Sequence, residues 1–399
     1  MSEKKRFSLV MPTYQNKKLI KNTLQVLNRQ KGYSAEDYEA VVIDDGSTDG
    51  TGEYIKGINR NYGLKYIYME RNGESSRSRA RNKGIKAACG EIIIFIDGDM
   101  LVKEDYLREI DRCFKVREDI VVIGNRVMLD KDAFYEEDLR DRYYEAPGFM
   151  VDTFNKMEIR HIMYKHLSYN SSCQIYPWMH VFSCNMAVSK KLLDRNGYFD
   201  ENFKGWGMED VELGYRLYKA GAKIIINNRI EAFHQCHSKE NTIKIGADKY
   251  QAIARNAIYF AQKYPEALGL PVYMVEKLFK GNAILNLNAV RGIRKRVEIN
   301  YSKKNNLEAI KSEILKLSAK SSLNIIVRDF VEKDDLDLWI QLLEKPKSIP
   351  RYFPMSQELR IKNNFDMADA LKVNTFFLIL GLNRAIFNFY YKILRGKKT

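Results

Sequence analysis

Phe95-Ile96-Asp97-Gly98-Asp99-Met100 closes a strongly apolar run, Ile92–Ile96, which predicts a strand buried on both faces. Two carboxylates one residue apart follow this strand, and Gly98 lets the backbone turn tightly between them. Ligands of open α/β sheets bind beyond the carboxyl ends of the strands, so a site is expected here. The spacing suits a hard divalent cation that bridges a nucleotide diphosphate, although acidic turns are also common as plain structure.

Strands and helices alternate through the first hundred residues. We predict strands at Phe7–Met11 (ended by Pro12), Ala40–Ile43 and Lys65–Met69, and helices at about Lys17–Arg29 and Arg77–Ala88. Such alternation is typical of an α/β fold with a mainly parallel, doubly wound sheet flanked by helices.

The amino-acid composition changes after about residue 130 and divides the later part of the chain. Residues 130–178 are rich in Tyr and charged residues, and we interpret them as an insertion over the site. Regularity then returns, with a helix opened by Gly205–Asp210 and a strand at Lys223–Ile226. We predict a catalytic domain followed by a mostly helical C-terminal extension. The bounds are 1–245 for the domain (nucleotide-binding half about 1–125, acceptor half about 126–245) and 246–399 for the extension.

Composition places this chain of 399 residues among folded globular proteins, with 45% hydrophobic and 29% charged residues. The net charge of +15 indicates anionic partners, and nucleotide diphosphates, anionic lipid and nucleic acid all fit it. No recognisable nucleic-acid motif is present, so no nucleic-acid partner is expected. The basic amino terminus lacks the apolar segment of a signal peptide, and five scattered cysteines suit reduced thiols. A cytoplasmic protein is therefore expected.

The carboxyl-terminal residues 375–399 combine apolar and basic character. Residues 384–399 hold five Lys or Arg and no acid, and Arg384 argues against a plain transmembrane span. An amphipathic helix on an anionic membrane surface and a helix docked on the catalytic domain both remain open.

Two further acidic pairs carry candidate chemistry. Asp44 and Asp45 follow the second strand, where they either contact a nucleobase or ribose or form a turn with Gly46. A calcium loop counted from Asp45 fails, because its twelfth position is Lys56. Glu209 and Asp210 open a helix just after Trp206, so they either cap it or supply a general base beside a sugar-binding aromatic ring.

Basic and imidazole groups complete the candidate site. Arg81 lies in the basic run Ser75–Gly84 at the start of a helix, which suits a phosphate or a solvated face. His234 follows a strand-like stretch, and its imidazole could complete the coordination of a metal held by Asp99. The residues after the first strand, Met11–Asn16, contain no glycine, and no P-loop is present, which disfavours dehydrogenases and kinases.

These segments together resemble a family 2 glycosyltransferase with the GT-A fold. The matching motifs are Val10–Tyr14, Val42–Thr51, Ala80–Gly84 and Ile96–Asp99, with Gln15 in place of the Asn usual after the first motif. Gly205–Asp210 and His234-Gln235 resemble the catalytic module shared by β-1,4-galactosyltransferases and bacterial chondroitin polymerases. The resemblance covers about residues 7–245.

The resemblance implies a role for each matching residue. Nucleotide binding falls to Pro12, Tyr14, Asp44, Asp45, Arg81 and Asp97. Mn²⁺ or Mg²⁺ would be held by Asp99 and His234, with Asp97. The acceptor would contact Trp206 and Glu209, and Asp210 would be the base.

The function expected from the resemblance is metal-dependent, inverting transfer from a nucleotide sugar, with UDP as the expected nucleotide. The acceptor would be a hydroxyl of a glycan or lipid-linked molecule, in the synthesis of a surface polysaccharide. The enzyme would work in the cytoplasm or at the cytoplasmic face of the membrane. A retaining transferase and a non-catalytic sugar-nucleotide or glycan-binding protein are the alternatives.

Overall fold

The computed structural model describes the chain in several stretches, which are residues 4–129, 176–235, 247–268, 272–273, 275, 295–321, 323–344, 346 and 350–354. The predicted insertion at 130–178 therefore lies mostly outside the described residues, and the tail at 375–399 lies outside them entirely. Among the helices that are described, none is both long enough and apolar enough to cross a membrane.

Eight strands form the main sheet: β1 (Lys5–Thr13), β2 (Tyr38–Asp44), β3 (Gly63–Tyr68), β4 (Gly90–Ile96), β5 (Met100–Val102), β6 (Ile120–Met128), β7 (Asn185–Ser189) and β8 (Lys223–His234). Their order is β3-β2-β1-β4-β7-β6-β8-β5. Strands β3, β2, β1 and β4 are parallel, and so are β6 and β8. Strand β7 is antiparallel to β4 and β6, and β5 is antiparallel to β8. The prediction of a mainly parallel sheet is confirmed.

Alternation along the central strands fills two cores, one on each face of the sheet. In β4, Ile92, Ile94 and Ile96 enter one core, and Ile93 and Phe95 enter the other. Helices flanking the sheet are α1 (Lys17–Leu27), α2 (Thr51–Gly57), α3 (Arg77–Ala87), α4 (Tyr106–Val116), α5 (Lys190–Asn196), α6 (Glu209–Lys219) and α7 (Ala247–Lys263). Because α1 and α4 contribute to the first core and α3, α6 and α7 to the second, the sheet is covered on both faces.

The C-terminal region contains a second, smaller sheet. Strands β9 (Lys295–Tyr301), β10 (Leu323–Asp329) and β11 (Arg351–Pro354) are parallel, and α8 (Leu307–Ser318) and α9 (Leu336–Gln341) connect them. Helices do provide most of the regular structure described after residue 246, but the sequence analysis missed these three strands. They are short and partly charged, and their parallel partners lie more than twenty residues away, so no local pattern marks them.

Candidate active site

Two loops at the carboxyl ends of β1 and β2 interlock and form one wall of the site. The backbone N–H of Gln15 donates to Ser47 Oγ at 2.8 Å, and that of Lys17 donates to Asp49 Oδ2 at 2.9 Å. The N–H of Asp45 donates to the carbonyl of Thr13 at 2.9 Å. The segments that carry Tyr14 and the Asp44-Asp45 pair are therefore held in a fixed relation.

Asp44 supports the turn that follows β2. Its side chain is fully buried, with Oδ1 accepting the N–H of Ser47 at 2.8 Å and Oδ2 accepting the hydroxyl of Tyr66 at 2.8 Å. Each carboxylate oxygen thus accepts one hydrogen bond from the protein, and Asp44 takes part in the turn that the sequence suggested. The contact of Asp44 with a nucleotide stays a prediction.

Asp45 faces a small aromatic and cationic cluster. Its Oδ2 is ion-paired with Arg71, whose guanidinium carbon lies 3.9 Å from the ring centroid of Tyr14. Its Oδ1 is buried and has no hydrogen-bond partner among the residues that the structure describes. Tyr14 is 44% exposed, just beyond Pro12 in β1. Arg71 was not predicted from the sequence, although it follows β3 closely and so lies at the same edge of the sheet.

Arg81 is the centre of the site. This α3 residue is 3% exposed, and its Nη1 lies 3.2 Å from Glu209 Oε1 and 3.5 Å from Asp210 Oδ1. Its Nη2 lies 3.4 Å from Asp97 Oδ1, and the guanidinium is 5.4 Å from the ring centroid of Phe199. The structure thus joins the acidic turn after β4 to the acidic start of α6. The guanidinium of Arg81 faces three carboxylates, and its contact with a diphosphate or base stays a prediction.

The pKa values of Arg81 and Glu209 are shifted by burial and by the excess of three carboxylates over one guanidinium. Burial lowers the pKa of Arg81, but Asp210, Asp97 and Glu209 outweigh it, and the pKa lies above its ordinary value. Burial and the charge of Asp210 raise the pKa of Glu209, with Arg81 opposing them. Glu209 therefore retains a proton to higher pH than an ordinary Glu side chain does.

Asp210 is held at both oxygens but is more accessible than its neighbour. Its Oδ2 accepts the backbone N–H of Ser183 at 3.0 Å, while Oδ1 faces Arg81. The side chain of Asp210 is 16% exposed, against 8% for Glu209. Ser183 was missed by the sequence analysis because a backbone donor leaves no mark in the side-chain pattern.

The loop that leads into α6 is fastened by α7. Asn256 donates to the carbonyls of Gly207 at 2.8 Å and Lys204 at 3.1 Å. Met208 has a left-handed φ of 75°, which places the turn of the chain directly before Glu209. Trp206 is half-buried, and its ring centroid lies 5.7 Å from the ammonium of Lys249.

Asp99 and His234 come together across neighbouring strands. Met100 of β5 is paired with His234 of β8, and Asp99 Oδ2 lies 3.4 Å from His234 Nε2. A carboxylate oxygen and an imidazole nitrogen are suitable ligands for Mn²⁺, so this pair fits part of a metal site. Within the described stretches, no group of three or more His, Cys, Asp or Glu side chains could hold a metal ion. Asp97, the third predicted ligand, is ion-paired with Arg81 through Oδ1, and its contact with a metal stays a prediction.

Two family models match the chain. Residues 8–194 match the model described as glycosyl transferase family 2, and residues 164–239 match the model described as the N-terminal domain of galactosyltransferase. The two matches overlap and together span residues 8–239, which contain all three acidic pairs and His234.

Several curated proteins are similar over the same part of the chain. A validoxylamine A glucosyltransferase from Streptomyces hygroscopicus subsp. jinggangensis is 28% identical over 273 residues, which cover 65% of this chain and 61% of the relative. A chondroitin synthase from Escherichia coli is 29% identical over 271 residues, or 64% of this chain and 39% of the relative. The chain thus spans less than two thirds of these relatives.

Solved structures give weaker likenesses. Staphylococcus aureus TarS 1–349 in complex with UDP-GlcNAc has a TM-score of 0.44 and 19% identity, covering 69% of this chain and 71% of that structure. The mannosyltransferase PcManGT from Pyrobaculum calidifontis, in complex with GDP-Man and Mn²⁺, has a TM-score of 0.45 and 18% identity, with 70% of each chain covered. The α/β architecture is the one described above, and its assignment to the GT-A type stays a prediction. Residues 8–194 thus match the family 2 glycosyltransferases and residues 164–239 match the galactosyltransferase model, so this region of the chain is a glycosyltransferase domain.

Proposed function

We propose that this protein transfers a sugar from a UDP sugar to a hydroxyl group of a glycan or lipid-linked acceptor, with inversion at the anomeric carbon. The observation that carries the proposal is the buried Arg81, which brings Asp97 beside the Glu209–Asp210 pair. Asp97, proposed for the donor side, therefore lies in one cluster with Glu209 and Asp210, which are proposed for the acceptor side. Polysaccharide synthesis is the expected setting.

Asp210 is proposed as the general base. Its carboxylate takes the proton of the acceptor hydroxyl, whose oxygen attacks the anomeric carbon as the bond to the diphosphate oxygen breaks. The bonding electrons leave with the diphosphate, and attack from the opposite face inverts the configuration. The greater exposure of Asp210 and its fixed Oδ2 support this role. The raised pKa of Glu209 suits a group that holds the acceptor hydroxyl. The aromatic face of Trp206 is proposed to contact the sugar ring of the acceptor.

The nucleotide is proposed to lie against the interlocked loops after β1 and β2. Asp45 has a buried carboxylate oxygen suited to accept an N–H from a uracil ring, and Tyr14 offers an exposed aromatic face. Arg71 covers both groups and would have to shift when a base binds.

Asp99 and His234 are the residues proposed to hold Mn²⁺ or Mg²⁺. The metal would stabilise the negative charge of the leaving diphosphate as a Lewis acid. The contribution of the protein is to present one carboxylate and one imidazole on adjacent strands.

Calorimetric titration with UDP, GDP and CDP, each with and without Mn²⁺, tests the donor site. We expect UDP to bind in a metal-dependent way, and we expect Asp99→Asn to weaken this binding while Asp210→Asn leaves it near the wild-type value. Failure of all three nucleotides to bind would refute the proposal.

Turnover and stereochemistry decide between the remaining alternatives. Metal-dependent hydrolysis of a UDP sugar, lost in Asp210→Asn, would exclude a non-catalytic binding protein. NMR of the first-formed product would show an inverted anomer, and a retained anomer would favour the retaining mechanism.

Membrane association through residues 375–399 stays a prediction, to be tested by deleting them and measuring sedimentation with anionic liposomes.

A further inference from the structure

Three neutral polar side chains are buried between α1 and the segment that carries His234. Asn22 is 3% exposed, and Thr23 and Gln235 are fully buried. Burying such groups among the apolar residues of the core is unfavourable unless each finds hydrogen-bond partners. Their arrangement is therefore expected to serve more than packing.

Hydrogen bonds join the three side chains to one another and to the backbone. Gln235 accepts from Asn22 Nδ2 at 2.8 Å and donates through Nε2 to the carbonyl of Leu19 at 3.0 Å. Thr23 Oγ1 donates to the carbonyl of Gly98 at 3.0 Å. A single turn of α1 thus contacts two segments that lie far apart in the sequence.

Each of those segments carries one member of the Asp99–His234 pair. Gln235 directly follows His234, and Gly98 directly precedes Asp99. The backbone N–H of Gln235 also donates to the carbonyl of Asp99 at 3.0 Å. The polar network therefore fixes both segments against the same helix, immediately beside the two candidate ligands.

We propose that Asn22, Thr23 and Gln235 are positioning residues, which hold Asp99 and His234 at the separation needed to bind a divalent cation. This inference rests on the proposed function, because it concerns the same metal. A fully satisfied polar network specifies one geometry, whereas apolar side chains of similar volume could pack in several. Residues that orient metal ligands typically change metal affinity by about 10–100-fold when they are replaced.

Titration of Mn²⁺, followed by the loss of its free electron paramagnetic resonance signal, measures this role without turnover. Thr23→Val replaces the hydroxyl with a methyl group of similar size, and Thr23→Ser is its matched control because the hydroxyl remains. We expect Thr23→Val and Gln235→Met to weaken Mn²⁺ binding about 10–100-fold, with UDP present or absent, and Thr23→Ser to bind within about threefold of the wild type. Circular dichroism and thermal unfolding would establish that each variant is folded.

His234→Ala separates failure of the inference from failure of the proposed function. If the wild type binds Mn²⁺ and His234→Ala does not, unchanged affinity in folded Thr23→Val and Gln235→Met would overturn the inference alone. If the wild type binds no Mn²⁺, the metal site of the proposed function is wrong, and the inference falls with it. Should Gln235→Met fail to fold, the comparison of Thr23→Val with Thr23→Ser decides.

Discussion

Arg81 is a single buried cation that faces three carboxylates. Because these negative charges outnumber it, both stability and activity are expected to depend on this side chain. Replacing it with Met would leave Asp97, Glu209 and Asp210 close together with no counter-charge from that position. Removing one partner from a buried ion pair typically costs about 3–5 kcal/mol. We expect Arg81→Met to lose stability on this scale in urea unfolding and to lose transfer activity.

A charge-balanced double variant distinguishes this electrostatic role from simple packing. Arg81→Met combined with Glu209→Gln removes one positive and one negative charge together. We expect the double variant to regain part of the lost free energy of unfolding, although not the activity. If its stability equals the sum of the two single effects, the side chain of Arg81 acts through its volume and not through its charge.

Glu209 gives the cluster a dependence on pH whose sign can be worked out. Because its pKa is raised in the folded state by burial and by Asp210, folding favours the protonated form. This contribution to stability is fully present below the unfolded pKa of about 4.3 and is lost as pH rises through the folded pKa. Glu209→Gln stays neutral throughout, so we expect its melting temperature relative to the wild type to be higher at pH 8 than at pH 5. Glu36→Gln, at an exposed position, should show no such difference.

At the scale of elements, α7 determines the shape of the loop before α6. Asn256 is 2% exposed and binds the carbonyls of Lys204 and Gly207, so Asn256→Ala would leave two carbonyls without this donor. We expect a loss of about 1–3 kcal/mol in stability and a fall in kcat, since Glu209 and Asp210 follow that loop directly.

Nucleotide affinity provides the internal control for this variant. Among the described residues, the side-chain hydrogen bonds of Asn256 go to the loop at 204–207, so calorimetry should give a UDP affinity close to that of the wild type. Gln262→Ala, on an exposed position of the same helix, should change neither quantity. A matching fall in UDP affinity would show that α7 supports the whole site and not the acceptor side alone.

The elements of the site were predictable from sequence where the signal is local. The apolar run before Asp97 and the acidic start of α6 both lie where the pattern indicates, since strands and helices are read over neighbouring residues. Pro12 was wrongly expected to end β1. Strand β1 continues to Thr13 because it stays paired with β2 up to that residue. Its pairing with β4 has already stopped at Val10. A missing N–H is tolerated where one neighbour has ended.

Apart from the Asp99–His234 pair, the contacts between residues far apart in the sequence could not be predicted. Arg81 meets Glu209 across 128 residues and Asp97 across 16, and nothing near Arg81 distinguishes a buried ion pair from a phosphate contact. The Asn22–Gln235 bond spans 213 residues, and both are neutral polar residues of common type. Such contacts depend on how the sheet is ordered, which the periodicity of individual elements does not determine.

At the scale of the whole molecule, α9 connects the small C-terminal sheet to the main one. Leu338 lies in the core of the main sheet, while Leu336 and Ile340 on the same helix pack against the small sheet. The side chain of Gln341 accepts the N–H of Ile226 at 3.0 Å and donates to its carbonyl at 2.9 Å. This paired bond attaches α9 to β8, the strand that ends in His234.

Arg112 of α4 holds the other side of this junction, and its replacement tests whether the small sheet is a firmly docked part of the enzyme. Its guanidinium is ion-paired with Asp335 and lies 3.4 Å from Asp337 Oδ2. Hydrogen bonds to charged groups contribute about 1.5–3 kcal/mol, so Arg112→Met should weaken the junction by a comparable amount. We expect faster hydrogen–deuterium exchange in α9 and β10 with unchanged exchange in β1 and β4.

Arg108→Met is the matched control, because Arg108 lies on the same helix but is 58% exposed and pairs at 3.2 Å with Asp105, the residue just before α4. It should leave exchange in α9 at the wild-type rate. Equal exchange in both variants would mean that Leu338 and Gln341 hold the junction without Arg112. Faster exchange that extends from α9 into β8 would instead show that docking of the small sheet stabilises the strand carrying His234, and Mn²⁺ affinity should then fall in Arg112→Met as well.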